Sequence, residues 1–87
     1  MQLSRKQIQM LEDVITAARD GRYCHGNGAQ WVYVSKSDSN AVISADHVSE
    51  KIHYYNKEES ERYLAGNRPH RDESTARNLE DFIKSSR

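Results

Sequence analysis

The sequence predicts one small α+β domain: an N-terminal amphipathic helix, a short antiparallel β-hairpin or small sheet, and then two or three helices. Three observations predict this class. Residues 4–20 repeat apolar side chains at helical spacing, residues 31–35 are rich in aromatic and β-branched side chains, and helical spacing returns near the C-terminus. A chain of 87 residues has room for little more than one domain, so we take residues 1–87 as a single unit.

The first helix has recognisable start and stop signals. Ser4 followed by Gln7 fits a capping box, and Gly21 is a typical residue just after a helix end. At about 100° per residue, the main apolar side chains fall within an arc of about 120°. They are Ile8, Leu11, Val14, Ile15 and Ala18. We expect this helix to serve as scaffold, with any self-association using the apolar edge formed by Met10 and Ala17.

The segment after the first helix predicts a hairpin. Gly26-Asn27-Gly28 favours a tight turn, and residues 31–35 have the composition of a strand. After a polar turn at residues 37–40, residues 41–43 can return as the second strand, and residues 23–24 can form a short third one. An isolated two-stranded hairpin is barely stable, so a helix must cover one of its faces.

Residues 45–55 admit two interpretations. Ser44 can cap a helix whose apolar stripe consists of Ala45, Val48, Ile52 and Tyr55. Alternatively, residues 52–55 have good strand propensity, although polar and apolar residues alternate poorly around them. We favour the helix.

Two further helices are predicted beyond this segment. Asn56 and Glu59 suggest a second capping box, starting a short helix that ends at Leu64 or Ala65 with Gly66 as its stop. Pro69 breaks the chain, because it biases the preceding residue away from helical angles. A closing helix follows residues 72–73, with an apolar arc of Ala76, Leu79, Phe82 and Ile83.

Composition limits the range of functions. Thirteen basic residues balance thirteen acidic ones, so no overall field draws in a polyanion or an anionic membrane. One cysteine allows no internal disulfide, and neither a membrane-spanning stretch nor an apolar signal-peptide core is visible, so we expect a cytoplasmic protein. Leu, Ile, Val and Phe make up only 15 of the 87 residues. We expect a marginal domain that a second chain stabilises, either a homodimer partner or another protein.

The sequence shows no complete catalytic, cofactor or metal site. Cys24 and His25 are adjacent, and neighbouring residues on a strand point to opposite faces, which argues against a nucleophile–base pair. The other candidate ligands, Asp46, His47, His53 and His70, follow no CxxC or HxxxH spacing. Gly26-Asn27-Gly28 lacks the remaining residues of a phosphate loop. We therefore predict that the protein is not an enzyme.

Protein recognition is the function that the composition favours. Tyr, Trp and Arg are enriched in binding hot spots, and aromatic residues are numerous for so few aliphatic ones. The predicted binding residues are Trp31, Tyr33, Tyr54 and Tyr55. If Val32 and Val34, which share the other face of this strand, pack on the helices, Trp31 and Tyr33 form an exposed pair. If the faces are reversed, both aromatics are buried, and the alternation alone leaves the two arrangements open.

The alternative is a small nucleic-acid-binding regulator. A basic loop precedes the closing helix, and such a loop can hold phosphates through side chains and helix N–H groups. Its residues are Arg62, Arg68, His70, Arg71 and Arg77. Two acidic residues, Asp72 and Glu73, follow at the start of that helix and would repel a phosphate there.

The hypothesis that we carry forward is a non-enzymatic protein-binding module, a stoichiometric inhibitor or regulator of a larger protein. In general type, it is similar to the small accessory proteins of phages and mobile elements. This is an analogy of size and character, and no motif carries it.

Overall fold

The computed structural model describes residues 2–86 and confirms the α+β class. The elements are α1 Arg5–Arg19, β1 Tyr23–Gly26, β2 Gln30–Val34, β3 Val42–Asp46, β4 Lys51–Tyr54, α2 Lys57–Gly66 and α3 Glu73–Ser85. The four strands form one antiparallel sheet in the order β1-β2-β3-β4. Each strand therefore pairs with its neighbour in the sequence, as short connections favour.

The predicted capping of α1 is confirmed. The Ser4 hydroxyl accepts the Gln7 N–H at 3.1 Å, and the Ser4 N–H donates to the Gln7 side chain at 2.8 Å. The buried face of the helix consists of Met10, Leu11, Val14, Ile15, Ala17 and Ala18. The prediction that Met10 and Ala17 form an edge for self-association is wrong, because both side chains are packed inside the core.

Strands β1, β2 and β3 are covered on both faces. On the side that we call the α1/α3 face, Tyr23, Trp31, Tyr33, Ile43 and Ala45 join the core formed with the two long helices. On the opposite side, the α2 face, a smaller cluster packs against residues of α2 and the segment before it. This cluster consists of Cys24, Val32, Val34 and Val42, with Tyr55, Tyr63 and Leu64 against it. The domain therefore has three layers, with the sheet in the middle.

Helix α2 begins after the predicted cap residue Asn56, and its end differs from the prediction by a residue or two. The Asn56 side chain accepts the Glu59 N–H at 2.8 Å, which caps the helix. Gly66 is the last helical residue rather than the stop, and Asn67 takes the capping position. Ser60 is fully buried, and its hydroxyl accepts the Val42 N–H at 3.3 Å, which ties α2 to the sheet.

The favoured helix over residues 45–55 is wrong, and the strand alternative for residues 52–55 is the better one. Residues 47–50 form a turn between β3 and β4, in which the Asp46 carboxylate accepts the Val48 N–H at 2.9 Å. Glu50 has φ 58°, which is incompatible with a continuous helix. Ala45 and Ile52 face each other across the hairpin, so the strands bring together two residues of the proposed helical stripe.

The closing helix α3 begins one residue after its cap, Asp72, and buries Ala76, Leu79 and Ile83 as predicted. It lies against α1, and Arg19 of α1 joins the two helices. The Arg19 guanidinium contacts Glu73 at 3.0 Å and Glu80 at 2.7 Å.

Gly26 provides a test of the packing between the β1–β2 turn and the core. A Cβ at this position would overlap Trp31 Cδ1 and lie 2.6 Å from the Tyr23 hydroxyl. We expect Gly26→Ala to lower the free energy of unfolding by about 1–3 kcal/mol, since overpacking forces neighbouring groups to shift. Urea denaturation followed by circular dichroism measures the change.

Gly66→Ala is the matched control, because a Cβ there has nothing within 4 Å and the residue is helical. This variant should be as stable as the native chain or up to about 1 kcal/mol more stable. Equal stabilities for the two alanine variants would contradict the close packing at Gly26.

His47 provides a second test. Its buried ring lies against Trp31 (centroids 4.7 Å apart) and Phe82 (5.5 Å), and its Nδ1 has no hydrogen-bond partner among residues 2–86. An unpaired buried polar atom costs about 1–3 kcal/mol, so His47→Leu should raise the free energy of unfolding by about 1 kcal/mol. His47→Asn, which stays polar, should be less stable than the native chain. A large loss of stability in the leucine variant would show that the imidazole has a partner.

Candidate functional site

Trp31 and Tyr33 do not form an exposed binding surface. Their exposed fractions are 4% and 8%, and both side chains lie in the core on the α1/α3 face. The proposed exposure of this pair is wrong, because the valines on the other side of β2 are covered as well, by the segment around α2. Both faces of β2 are therefore occupied.

Tyr54 and Tyr55 lie on different faces of the sheet. Tyr54 pairs with Ile43 across the β3–β4 hairpin and is 71% exposed on the α1/α3 face. Tyr55 is half-buried on the α2 face, with its ring edge against Tyr63 at a centroid distance of 5.7 Å. Of the four predicted binding residues, only Tyr54 presents most of its side chain to solvent.

The two edges of the sheet differ. At the β1 edge, the His70 N–H donates to the Tyr23 carbonyl at 2.8 Å, and the two rings meet at a centroid distance of 5.7 Å. The loop before α3 thus covers β1. At the β4 edge, all four residues are exposed, and within residues 2–86 no further strand or bridge pairs with them.

The hydrogen-bond pattern shows which backbone groups β4 presents at this edge. The Tyr55 N–H donates to the Val42 carbonyl at 3.1 Å. Since antiparallel pairing alternates residue by residue, Lys51 and His53 also direct their backbone groups towards β3. Ile52 and Tyr54 direct theirs outwards. Two N–H and two C=O groups therefore face away from the sheet.

A groove of about 540 Å³ runs along the inner side of this edge, between α1 and β4. Tyr33 and Ile43 line it from the sheet, with Ile52 and Tyr54 from β4. The remaining lining residues are Asp13, Thr16, Arg22, Ser35, Lys36 and Ser37. Burial raises the pKa of Tyr33 to about 12, so this phenol is uncharged near neutral pH. We call strand Lys51–Tyr54 together with this groove the β4 surface.

The sequence interpretation missed Ile52 and Val48 as surface residues. It placed both in the apolar stripe of a helix, whereas in the structure their exposed fractions are 39% for Ile52 and 65% for Val48. The strand propensity of residues 52–55 was the signal that could have located the edge strand. No local pattern shows that a strand lies at the edge of a sheet, since this depends on the other three strands.

Cys24 and His25 lie on the same face of the sheet, so the predicted separation is wrong. The register of β1 against β2 shifts between Tyr23 and His25, as in a β-bulge, and breaks the strict alternation. The His25 ring stacks on Tyr63 (5.6 Å between centroids, planes 15° apart), and the Tyr63 hydroxyl forms a hydrogen bond with His25 Nδ1.

The pKa values of Cys24 and Tyr63 favour a structural role for this contact between β1 and α2. Burial raises the pKa of the Cys24 thiol, which disfavours the nucleophilic thiolate. Burial likewise raises the pKa of Tyr63 to about 12, so its hydroxyl stays protonated. The stacked His25–Tyr63 pair holds α2 against β1.

The structure brings together only part of the proposed nucleic-acid site. Arg68, His70 and Arg71 are exposed in the loop at the β1 edge. Arg62 and Arg77 lie on α2 and α3, which cover opposite faces of the sheet. Each is near an acidic residue of its own helix, Glu58 at 4.0 Å and Glu73 at 3.9 Å respectively.

The start of α3 is already capped by a carboxylate. Asp72 accepts the Thr75 N–H at 2.9 Å and the Thr75 hydroxyl at 2.8 Å. The negative charge at this helix start is unfavourable for a phosphate. The nucleic-acid alternative stays a prediction, and the salt dependence of binding would test it.

Within residues 2–86, no group of three or more His, Cys, Asp or Glu side chains is placed to hold a metal ion. Over the same residues, no helix has the length and apolar character needed to cross a bilayer. A second cavity, of about 310 Å³, lies between the β1–β2 turn and α3, with Trp31 and Phe82 among its lining residues.

No family model matches the chain, and the comparisons with curated proteins and with solved structures found no match. What distinguishes the β4 surface is its geometry. Within the described residues, it combines outward backbone groups, two large exposed apolar side chains and an adjoining groove.

The cap of α3 gives a pH-dependent prediction. The hydrogen bonds from the Thr75 N–H and hydroxyl hold the pKa of the Asp72 carboxyl below its usual range. A depressed folded-state pKa stabilises the fold above the unfolded value, about 3.9, and this stabilisation is lost as pH falls through the lower folded value. Asp72→Ala should therefore cost about 1 kcal/mol at pH 7, and progressively less as the pH falls below the unfolded-state value.

Urea denaturation at pH 7 and at pH 2.5 measures the difference in free energy of unfolding between the native chain and Asp72→Ala. Asp72→Asn serves as the control, because its side-chain oxygen can cap the helix at either pH. If the gap between the native chain and the alanine variant is as wide at pH 2.5 as at pH 7, the ionised carboxylate is not what stabilises α3.

Proposed function

We propose that the protein is a non-enzymatic protein-binding module that accepts an extended segment of a protein partner as a fifth strand beside β4. The observation that carries this proposal is the open edge of β4, where Ile52 and Tyr54 present both backbone groups and apolar side chains. Strand addition uses the same two features, since backbone hydrogen bonds supply affinity and alternate side chains supply specificity.

The groove provides a place for those side chains. An added strand continues the sheet, so every second side chain of the partner segment would project on the α1/α3 face, next to Ile52 and Tyr54. There the groove is lined by Tyr33 and Ile43, which favours an apolar or aromatic partner side chain. Tyr54 is the hot-spot residue that we expect, because it is large, aromatic and mostly exposed in the free chain.

The contrast between the two sheet edges supports a binding role. Exposed edge strands pair readily with other chains, and proteins commonly protect them with charges, prolines, bulges or a covering segment. The β1 edge has such protection, with a bulge and the covering loop at His70. The β4 edge has Lys51 at its start and then the exposed apolar residues Ile52 and Tyr54.

The biological role that we attach to this binding is stoichiometric inhibition or regulation of a larger protein. A module of this kind acts by occupying a segment of its partner and needs no chemistry of its own. We place it in a reducing compartment such as the cytoplasm, where the buried Cys24 stays a free thiol.

Partner capture with β4 variants tests the proposal. Ile52→Pro removes an outward N–H while leaving the hydrogen bonds to β3 in place, and Tyr54→Lys adds a charge at the edge. The tagged native chain should capture a protein from nuclease-treated lysate of the source cells, and both variants should bind that protein at least tenfold more weakly. Isothermal titration with the purified partner measures this change.

Val48→Lys is the matched control, since it introduces the same charge at an exposed apolar residue in the turn before β4. It should bind like the native chain, and circular dichroism should show the native fold for all three variants. Capture that is unchanged in folded Ile52→Pro and Tyr54→Lys chains would overturn the proposal. Capture that disappears with nuclease treatment would indicate nucleic acid instead.

A further inference from the structure

We infer that, in the absence of another partner, β4 pairs with β4 of a second copy of this chain, antiparallel and with His53 opposite His53. The two four-stranded sheets then form one continuous sheet of eight strands. This inference rests on the proposed function, because both require the β4 edge to accept a strand.

The register follows from the hydrogen-bond pattern of β4. In an antiparallel pair, residues that exchange hydrogen bonds lie directly opposite each other and project on the same face. With His53 opposite His53, Ile52 of each chain lies opposite Tyr54 of the second copy. These are the two residues of β4 whose backbone groups point outwards. The pairing therefore closes four backbone hydrogen bonds and uses every outward group of the strand.

The neighbouring registers fit less well. Centring the pairing on Ile52 would place Tyr54 opposite Glu50, whose φ of 58° takes it out of the extended conformation. Centring it on Tyr54 would place Ile52 opposite Asn56, which is occupied as the cap of α2. A shift by one residue would place Ile52 and Tyr54, whose backbone groups point outwards, opposite residues whose backbone groups bond to β3. The register centred on His53 keeps all paired residues within the extended segment.

The side chains are complementary in the same register. Ile52 and Tyr54 form two symmetric apolar contacts on the α1/α3 face, at the mouths of the two grooves. Aromatic and β-branched residues opposite each other are favourable cross-strand pairs. On the α2 face, Lys51 lies opposite Tyr55 of the second copy, close to the first turn of its α2, which carries Glu58 and Glu59.

The open β4 edge and the small core both favour a second copy of this chain as the strand that pairs with β4. An exposed apolar edge strand tends to pair with whatever extended backbone is available, and a second copy is always present. Few aliphatic residues form the core of the single chain, so additional burial at β4 would add to its stability. The second copy uses the same backbone groups as a partner strand, so the partner would compete with the dimer.

A cysteine substitution at the proposed twofold axis tests the register. Opposed residues that do not exchange hydrogen bonds have Cα atoms about 4.5 Å apart, which a disulfide can span. His53→Cys should therefore form a disulfide-linked dimer under mild oxidation at micromolar concentration. The native chain is one control, since Cys24 is buried. Lys51→Cys is the other, because in this register the two substituted residues are far apart. It should form at least tenfold less dimer.

Analytical ultracentrifugation tests the dimer itself. The native chain and Val48→Lys should sediment as dimers. Ile52→Pro should be monomeric, with a dimer dissociation constant raised at least tenfold, and Tyr54→Lys serves as a second variant if the proline chain fails to fold. A native monomer up to millimolar concentration, or a dimer that persists in both β4 variants, would overturn the inference. Crosslinking of Lys51→Cys in preference to His53→Cys would overturn the register.

These outcomes separate the inference from the proposed function. If the native chain is monomeric but captures a partner in a β4-dependent way, the self-pairing fails and the proposed function stands. If the chain dimerises through β4 and captures no protein, the self-pairing stands and the binding of a different protein fails. If neither association depends on β4, both are wrong.

Discussion

The rest of the structure depends on β2 being buried on both of its faces. Trp31 and Tyr33 need the layer of α1 and α3, while Val32 and Val34 need the cover provided by α2 and the residues next to it. The chain has only 15 Leu, Ile, Val and Phe residues with which to build both layers. Of the two long helices, α1 lies over β1 and β2, the half of the sheet that holds the buried aromatics, and α3 packs against α1. The groove along β4 is the part of the sheet that these layers leave open.

Features that depend on local chemistry could be predicted from the sequence. The cap at Ser4 and the apolar faces of α1 and α3 follow from residue types at fixed spacing, and the structure has them. The alternation in β2 correctly separated two faces, but it could not show that both are covered. That depends on α2, which comes from a segment more than twenty residues further along the chain. For this reason Trp31 and Tyr33 were placed in a binding surface when they belong to the core.

The β3–β4 hairpin was missed because two structures bring the same residues together. Ala45 and Ile52 are seven residues apart, which places them on one side of a helix, and a hairpin with a short turn pairs them just as closely. Of the candidate site, the sequence identified Tyr54 and missed Ile52. Neither a strand's place at the edge of a sheet nor the direction of its backbone groups is a property of its own residues. Both emerge only once the other strands are in place.

The position of Cys24 has a practical consequence. Its thiol lies between the sheet and α2, and the segment that covers it packs mainly through three side chains, Tyr55, Tyr63 and Leu64. Undocking of α2 would expose the sulfur while α1, α3 and the rest of the sheet remain assembled. The rate at which a thiol reagent labels the native protein would then report how often α2 undocks from the sheet. The single cysteine of the chain is thus a natural probe of local opening, with no label to introduce.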